Sequence, residues 1–441
     1  MIARLIASPG SVGSVESTGQ DLTMSSGMIG WWMLIVLVGR VLGQNEVDTT
    51  ENDIPQEEDQ DEASWFQIDD EDGELTVPEL ITKYGYRVES HAVISSDGYM
   101  LTVFRIAPRQ PPEKSQYPVL MVHGLMTSAA DYVITGPNNS LAYLLADRGY
   151  EVWLANMRGT RYSKGHTSIA PDSPEYWDFS WHEMGYYDLP AIIDYIRATS
   201  NVSKVHYVGH SQGTTVYFVM SSSRPEYNEK IALMTALSPA VILKRIRSPI
   251  GRLILDLVES LKQLLQALEI YDVFAYNKNY HQLAKSICPK EEKESICYRL
   301  ISQICGPNPD AYDRKLMLAF LGHAPAGASV KQLMHFIQLN RSGLFRRYDY
   351  GKKGNLQTYS NWKPPSYNLT AASAPVLIYY ALNDWIVHPR DVQQFARKLP
   401  RVVGLNPVGD KQFNHLDFIT AKNAREQLYD KLMPVLDGFN D

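Results

Sequence analysis

The feature that most constrains this chain is an alternation of short, largely apolar runs with helical stretches. Each apolar run ends at glycine or at small polar residues. Continuous apolar strands are typical of parallel sheets, in which both faces of the sheet are buried. The pattern therefore predicts a doubly wound α/β fold with right-handed crossovers. The predicted strands cover residues 117–122, 150–155, 205–208, 231–237 and 375–380, and the predicted helices cover residues 140–148, 189–198 and 211–222.

Two regions depart from this alternation. Residues 90–106 predict a β-hairpin that turns at an Asp-Gly pair. A later and much longer region has mainly helical periodicity without clear buried strands, and its residues 252–270 place several aliphatic side chains on one helical face. Because core strands resume after this region, we predict a cap inserted into one core. The predicted parts are the first half of the core (residues 75–240), the helical cap (241–365) and the second half of the core (366–441).

The N-terminal segment is typical of a targeting sequence. The apolar run that starts at Met28 is shorter than the about 20 residues that span a bilayer. Small residues near Gly43 offer a cleavage site, so residues 28–43 are predicted to be a signal peptide. Residues 1–27 would then be an upstream leader. The competing interpretation is a buried helix of a globular domain.

The net charge of −7 is unevenly distributed along the chain. Residues 46–74 hold fourteen acidic and no basic residues, whereas the chain from Leu75 onward holds 40 basic and 33 acidic residues. The body thus carries a net positive charge, and one short acidic segment makes the net charge of the whole chain negative. A segment this polar cannot bury enough apolar surface to offset the entropy lost on ordering. Residues 44–74 are therefore predicted to be a disordered linker or a pro-segment lying on the body. The hydrophobic content of 44% excludes a disordered protein as a whole.

The most informative motif is Gly209–Gly213, which reads G-x-S-x-G around Ser211. It follows one predicted strand and opens a predicted helix, which is the context of a nucleophile elbow. The glycines allow strand and helix to approach closely, and the helix N-terminus faces developing negative charge. The alternative is a surface serine in a glycine-rich turn. The strand–turn–helix context favours the nucleophile.

A serine nucleophile needs a base and an orienting acid. In α/β-hydrolases, the acid and then the histidine follow the serine along the chain. Asp384 follows the strand at residues 375–380, and His415 follows a strand predicted near residues 401–405. Both lie at carboxyl ends of strands, where open α/β sheets place their sites. We therefore predict that Ser211, Asp384 and His415 are catalytic, with no metal or organic cofactor. The nearby alternatives are His388, Asp391 and Asp417.

Acyl transfer also needs donors for the oxyanion of the tetrahedral intermediate. The backbone N–H of Gln212, directly after the nucleophile, is one predicted donor. The second is the N–H of Leu125, which follows an early strand. His123, in the same loop, is predicted to shape the loop, and the alternative is a second catalytic histidine.

Cysteines and glycosylation motifs favour a secretory route. Cys288, Cys297 and Cys305 lie within one eighteen-residue window. An oxidising compartment allows one disulfide and one leftover thiol. A zinc site is the competing interpretation, but no histidine spacing supports it. The predicted N-glycosylation sites are Asn138, Asn201, Asn340 and Asn368.

Taken together, these motifs resemble the acid lipase family, which includes gastric lipase and lysosomal acid lipase. The resemblance extends from about Val77 to the C-terminus. The matching blocks are the opening hairpin (Ser96–Leu101, Arg105, Ile106), the oxyanion loop (His123–Leu125), V-W-x-x-N-x-R-G (Val152–Gly159, with Ser163 and His166), Phe179–Met184 with Tyr187–Pro190, G-H-S-Q-G (Gly209–Gly213) and the histidine block (Asn414–Asp417). The departures are Thr160 for Asn, Gly185 for Ala, and Leu382 for Gly in the acid motif.

The resemblance implies an α/β-hydrolase fold, with a mostly parallel central sheet and a helical cap or lid. It implies a secreted or lysosomal serine lipase that hydrolyses neutral lipid esters, triacylglycerols or steryl esters, through an acyl-enzyme. It also implies that Cys288 and Cys297 are bridged and that Cys305 is free. Expected partners are lipid esters at an interface, with contact to a membrane or lipid droplet and no nucleic acid. The alternatives are a soluble carboxylesterase and a catalytically weak lipid-binding or storage protein.

Overall fold

A computed structural model of the protein describes the body of the chain from residue 68 onward, with short gaps. The predicted leader (1–27), the predicted signal peptide (28–43) and most of the predicted acidic segment lie outside the described residues. In the part of the chain that the structure describes, no helix is long and apolar enough to cross a membrane. The described residues are 68, 69, 71–110, 116–279, 282, 286, 288, 296–311 and 314–440.

A single sheet organises the core. Nine strands of the described chain form it, in the order β1-β2-β4-β3-β6-β7-β10-β11, with β5 paired to β2. The pairs from β4 to β11 are parallel, whereas the hairpin β1–β2 adds an antiparallel edge. The strands are β1 (Val88–Ile94), β2 (Tyr99–Ile106), β3 (Val119–Val122), β4 (Val152–Ala155), β5 (Gly165–His166), β6 (Val205–His210), β7 (Ile231–Leu237), β10 (Val376–Tyr380) and β11 (Val402–Pro407).

Helices cover both faces of this sheet, which explains the unalternating strands. Val119 and Met121 of β3 point into one apolar cluster, whereas Leu120 and Val122 point into another on the opposite face. The predicted α/β architecture is therefore confirmed. The helices are α1 (Val77–Lys83), α2 (Leu141–Asp147), α3 (Leu189–Thr199), α4 (Gln212–Ser223), α5 (Pro249–Ser260), α6 (Lys262–Ala267), α7 (Ile296–Cys305), α8 (Arg314–His323), α9 (Val330–Ser342), α10 (Gly351–Tyr359), α11 (Pro389–Ala396), α12 (Asp417–Thr420) and α13 (Asp430–Asp437).

The cap between β7 and β10 differs from expectation in two details. Residues 252–270 do not form one helix, because α5 and α6 are separated at Leu261, whose ψ of 0° departs from helical geometry. Two short strands, β8 (Asp272–Val273) and β9 (Ala328–Ser329), also pair antiparallel within the cap. The aliphatic face of α5 and α6 is only partly covered.

The end of the predicted acidic segment is part of the folded body. Ile68 is buried against α8. Asp72 is also buried, and its carboxylate accepts a hydrogen bond of 2.6 Å from Lys83 Nζ as well as one from the Tyr84 hydroxyl. The expectation of a disordered segment therefore does not hold for these residues, because an ion pair to the buried Asp72 and an apolar contact of Ile68 anchor them.

Candidate active site

The predicted nucleophile lies at a sharp turn between β6 and α4. Ser211 has φ of +51°, in the left-handed region that residues with a side chain rarely adopt. The flanking glycines make this turn feasible. A Cβ on Gly213 would lie 2.2 Å from the carbonyl oxygen of Val122, and one on Gly209 would lie 2.9 Å from the Gly213 carbonyl carbon. The close approach of α4 to β3 therefore requires glycine at position 213, and the close approach of α4 to the end of β6 requires glycine at position 209.

The structure brings the three predicted catalytic side chains together at the carboxyl edge of the sheet. His415 Nε2 lies 2.9 Å from Ser211 Oγ, and His415 Nδ1 lies 2.8 Å from Asp384 Oδ2. The other carboxylate oxygen of Asp384 accepts the N–H groups of Ile386 and Val387, at 2.9 and 2.7 Å. All three side chains are buried. With Nδ1–H donated to the carboxylate, Nε2 is free to accept the serine proton.

The rival side chains belong to other networks. His388 caps α11, where its ring accepts the N–H of Arg390 at 3.1 Å. Asp391 accepts the backbone N–H of Arg245 at 2.8 Å. Asp417 accepts the N–H of Asn414 at 2.8 Å, as expected for a local loop carboxylate.

The two predicted oxyanion donors belong to segments that adjoin the serine: Gln212 follows it directly, and Leu125 follows Gly124, where an added Cβ would lie 3.6 Å from Ser211 Cβ. Gln212 is the first residue of α4, so its N–H has no carbonyl partner within the helix. Leu125 follows His123 and Gly124 in the loop after β3. His123 Nδ1–H donates to the Gly124 carbonyl at 2.8 Å, and its Nε2 accepts the N–H of Met157 at 3.1 Å. Burial lowers the pKa of His123 to about 4. Because both ring nitrogens are engaged, His123 shapes the loop, and the geometry does not support a second catalytic histidine.

Comparison with known proteins identifies the family. Residues 77–136 match the family described as a partial alpha/beta-hydrolase lipase region, and residues 117–285 match the alpha/beta hydrolase fold. Lipase 1 of Drosophila melanogaster is 44% identical over 367 residues, which cover 83% of this chain and 80% of that protein. The chain belongs to the acid lipase family. Human gastric triacylglycerol lipase is 35% identical over 82% of this chain and 91% of its own. The chain is accordingly a lipase, a carboxylic ester hydrolase of the α/β-hydrolase fold.

A buried carboxyl group that the sequence did not reveal supports the loop that carries the predicted oxyanion donor Leu125. Asp131 Oδ2 accepts the N–H of Gly124 at 3.2 Å and the hydroxyl of Thr127 at 2.7 Å. Burial raises the pKa of Asp131 to about 7. Nothing in the local sequence distinguishes this aspartate, because its role depends on the loop folding back onto it.

Ser238 was also missed. It is fully buried directly after β7, and its Oγ lies 2.5 Å from Asp384 Oδ2 and 3.0 Å from His415 Nδ1. In the sequence, it marks only the end of a strand before a proline. No local pattern connects it with residues more than a hundred positions away.

The cap places apolar side chains over the oxyanion loop of the lipase. Leu125 and Met126 pack against a cluster built from α5, α6, β8, β9 and α9. Val258 and Leu265 are among its buried members. A hydrogen bond of 2.5 Å from Gln332 Nε2 to Gln212 Oε1 ties α9 to the residue after the nucleophile. The site thus has an apolar wall on the side of the predicted oxyanion donors.

The cysteine pairing implied by the resemblance is confirmed. Cys288 and Cys297 form a disulfide with Cα atoms 5.7 Å apart, and Cys305 is unpaired and buried. Burial raises the pKa of the Cys305 thiol well above its usual range. Among the residues that the structure describes, no group of three or more histidine, cysteine or acidic side chains is arranged to hold a metal ion.

The four predicted glycosylation sites differ in their surroundings. Asn138, Asn201 and Asn368 are exposed, so a glycan could be accommodated at each. Asn340 is half-buried, and its side-chain nitrogen donates a 2.5 Å hydrogen bond to the Leu243 carbonyl. Attachment of a glycan there would disturb this contact.

Proposed function

We propose that this lipase hydrolyses esters of neutral lipids, triacylglycerols or steryl esters, through an acyl-enzyme formed on Ser211. The observation that carries the proposal is the continuous hydrogen-bond chain from Ser211 Oγ to His415 Nε2, at 2.9 Å, and from His415 Nδ1 to Asp384 Oδ2, at 2.8 Å. This is the relation between nucleophile, general base and orienting acid that serine catalysis requires.

In the acylation step, Ser211 Oγ attacks the carbonyl carbon of the ester while its proton moves to His415 Nε2. Asp384 keeps the ring oriented and stabilises the imidazolium. The Leu125 and Gln212 N–H groups donate to the oxyanion as the carbonyl oxygen gains charge. Collapse of the intermediate breaks the bond to the alcohol, which leaves with the proton from Nε2.

In the deacylation step, water attacks the acyl carbonyl and gives a proton to His415 Nε2. The oxyanion again takes the donors of Leu125 and Gln212. When the second intermediate collapses, the fatty acid leaves and the proton returns to Ser211 Oγ. Both half-reactions therefore use the same groups, and the enzyme is regenerated without a net proton change.

The proposal of a lipid substrate is supported by the cap. Leu125 and Met126 share an apolar cluster with the cap, which suits an acyl chain better than a polar group. The names of the relatives, two Drosophila lipases and the gastric triacylglycerol lipases, support the same class. Contact with a lipid interface would bring an insoluble ester to this site.

Secretion or delivery to the lysosome completes the proposal. A disulfide between Cys288 and Cys297 and exposed sequons such as Asn138 and Asn368 suit the secretory pathway. Ile68 and Asp72 are buried in the body, so a processing cut that removes the acidic pro-segment is expected before residue 68. N-terminal sequencing of the secreted protein tests this boundary.

A panel of esters tests the substrate class. Esters of increasing acyl length are supplied to the wild type and to Ser211→Ala, below and above their solubility limit. We expect activity to rise with chain length and at the emulsion interface, and to disappear in Ser211→Ala. A maximum on short soluble esters without an interfacial rise would indicate a carboxylesterase. A folded wild type that hydrolyses no ester would indicate a binding or storage protein.

A further inference from the structure

The strand order places the end of β7 between the nucleophile and the acid. β7 lies between β6, which precedes Ser211, and β10, which precedes Asp384. Backbone hydrogen bonds join the three strand ends. The N–H of Ser211 donates to the Leu237 carbonyl at 3.0 Å, and the N–H of Ser238 donates to the Tyr379 carbonyl at 2.9 Å. Ser238 is thus held in position relative to both halves of the site.

The backbone at Ser238 is strained, and its side chain contacts the predicted acid and base. Its φ is +47°, a value that residues with a side chain rarely adopt. Ser238 also precedes Pro239, and a residue before proline prefers extended backbone. The conformation of Ser238 therefore goes against both preferences. Strain of this kind persists where the surroundings enforce it, and it clusters at functional sites. Its hydroxyl makes hydrogen bonds with both Asp384 and His415.

We propose that Ser238 is a positioning residue of the Asp384–His415 pair, an inference that rests on the proposed function of this site. Its hydroxyl donates to Asp384 Oδ2 at 2.5 Å, the same oxygen that receives His415 Nδ1–H at 2.8 Å. Its own oxygen lone pairs face Nδ1 at 3.0 Å. One hydroxyl thereby contacts both the acid and the base.

This arrangement acts when the base becomes charged. Asp384 Oδ1 is already held by the N–H groups of Ile386 and Val387, so the carboxylate is fixed at one oxygen without Ser238. Ser238 fixes the second oxygen and adds an acceptor beside Nδ1–H. As His415 takes the serine proton, that acceptor stabilises the imidazolium together with Asp384. A hydrogen bond to a charged group of this kind is worth about 10-fold to 100-fold in rate.

Ser238→Ala tests the proposal by steady-state kinetics on a soluble ester. We expect kcat to fall about 10-fold to 100-fold with little change in KM, because the hydroxyl contacts the base and acid rather than the substrate. Ser221→Ala is the matched control. Ser221 is equally buried, but among the described residues its hydroxyl has the Phe218 carbonyl of its own helix as its hydrogen-bond partner, at 3.4 Å, so kcat of this variant should not change. Equal kcat in wild type and Ser238→Ala would overturn the inference.

Ser238→Gly guards against a failure of the alanine variant to fold. Glycine also removes the hydroxyl, but it accepts a positive φ without strain. Circular dichroism and thermal unfolding report whether each variant is folded. A folded Ser238→Gly enzyme with wild-type kcat would overturn the inference even if Ser238→Ala could not be purified.

A double-mutant cycle distinguishes positioning from a general structural role. If Ser238 acts through the carboxylate, its replacement in an Asp384→Asn background should lower kcat much less than in the wild type. The same loss in both backgrounds would contradict the proposed role. The cycle also separates the two proposals. Full activity of Asp384→Asn would reject the proposed function itself, whereas an impaired Asp384→Asn with a fully active Ser238→Ala would reject only this inference.

Discussion

The carboxyl edge of the sheet and the cap above it are built in opposite ways. At the edge, Ser211, Asp384 and His415 are buried, and hydrogen bonds hold each to its neighbours. In the cap, Leu264 on α6 and Leu268, the residue directly after α6, are 52% and 42% exposed. One region is fixed by directional contacts, and the other presents apolar surface to its surroundings.

This difference separates two tasks. Proton transfer between fixed groups requires positions accurate to a fraction of an ångström. Admission of a long, apolar substrate needs instead a surface that can exchange water for lipid. Substitutions at the edge should therefore lower the rate on every ester, whereas substitutions on the exposed face of the cap should matter only at an interface.

The largest effect is expected at the base. His415→Ala should lower kcat by about 10⁶-fold on soluble and emulsified esters alike, because the serine loses its proton acceptor. His388→Ala is the control, since His388 caps α11 in a separate network and should leave kcat within a few-fold. Comparable losses in the two variants would break the assignment of the base.

A smaller loss is expected from crowding the elbow. A methyl group on Gly213 would lie 2.2 Å from the Val122 carbonyl oxygen, so Gly213→Ala must push β3 and α4 apart. We expect a fall of about 100-fold in kcat and a destabilisation of about 1–3 kcal/mol. Gly409→Ala is the matched control, because the nearest atom to its new methyl lies at an ordinary 3.5 Å. Steady-state kinetics and urea unfolding of both variants measure the difference in kcat and in the free energy of unfolding.

The exposed face of the cap should affect interfacial activity alone. Replacing Leu264 and Leu268 by glutamine removes two apolar side chains that could enter lipid, so hydrolysis of an emulsion should fall about 10-fold. Hydrolysis of a soluble short-chain ester should be unchanged. Leu405→Gln, on β11 and 37% exposed, supplies the control with similar exposure on the core. Equal losses on soluble and emulsified esters would contradict the division of tasks.

The last effect is expected in the pH dependence of stability rather than in the rate. The pKa of Asp131 is about 7 in the folded protein against an ordinary 3.8, so folding favours its protonated form. The contribution of the protonated Asp131 carboxyl group to folding stability is then fully present below pH 3.8 and is lost as pH rises through 7. Asp131→Asn stays neutral and keeps an acceptor for Gly124. Its melting temperature should therefore rise relative to that of the wild type between pH 4 and pH 8.

Parallel slopes of melting temperature against pH for Asp131→Asn and wild type would show that this carboxyl group does not titrate in that range. The opposite dependence of His123, whose pKa of about 4 favours the neutral ring, is common to both proteins. It therefore cancels from the difference between them.

The sequence predicts the fold and the positions of Ser211, Asp384 and His415 because each lies in the connection that follows a strand, Ser211 directly after β6 and the other two in the loops after β10 and β11. The carboxyl ends of parallel strands meet at one edge, so local patterns are sufficient to bring these side chains near one another. Ser238 also follows a strand, but its role depends on β7 lying between β6 and β10 and on a positive φ. Neither can be seen in a local pattern.

The cap and the acidic segment show two other limits of sequence interpretation. Helical periodicity at residues 252–270 indicates helices, but it does not reveal the break at Leu261 or which leucines remain uncovered. Acidic composition predicts disorder through residue 74, but it cannot show that Asp72 is buried with Lys83 as its ion-pair partner. In both cases the deciding contacts come from residues distant in the sequence or from packing.

Covalent labelling directly tests whether Ser211 is the catalytic nucleophile. The intact protein is incubated with an organophosphonate ester, and the modified peptide is identified by mass spectrometry. The assignment of Ser211 as the nucleophile predicts one adduct, located on Ser211, which is absent from folded Ser211→Ala and forms more slowly in Ser238→Ala. A folded wild-type protein that acquires no adduct, or an adduct that persists in Ser211→Ala, would contradict it.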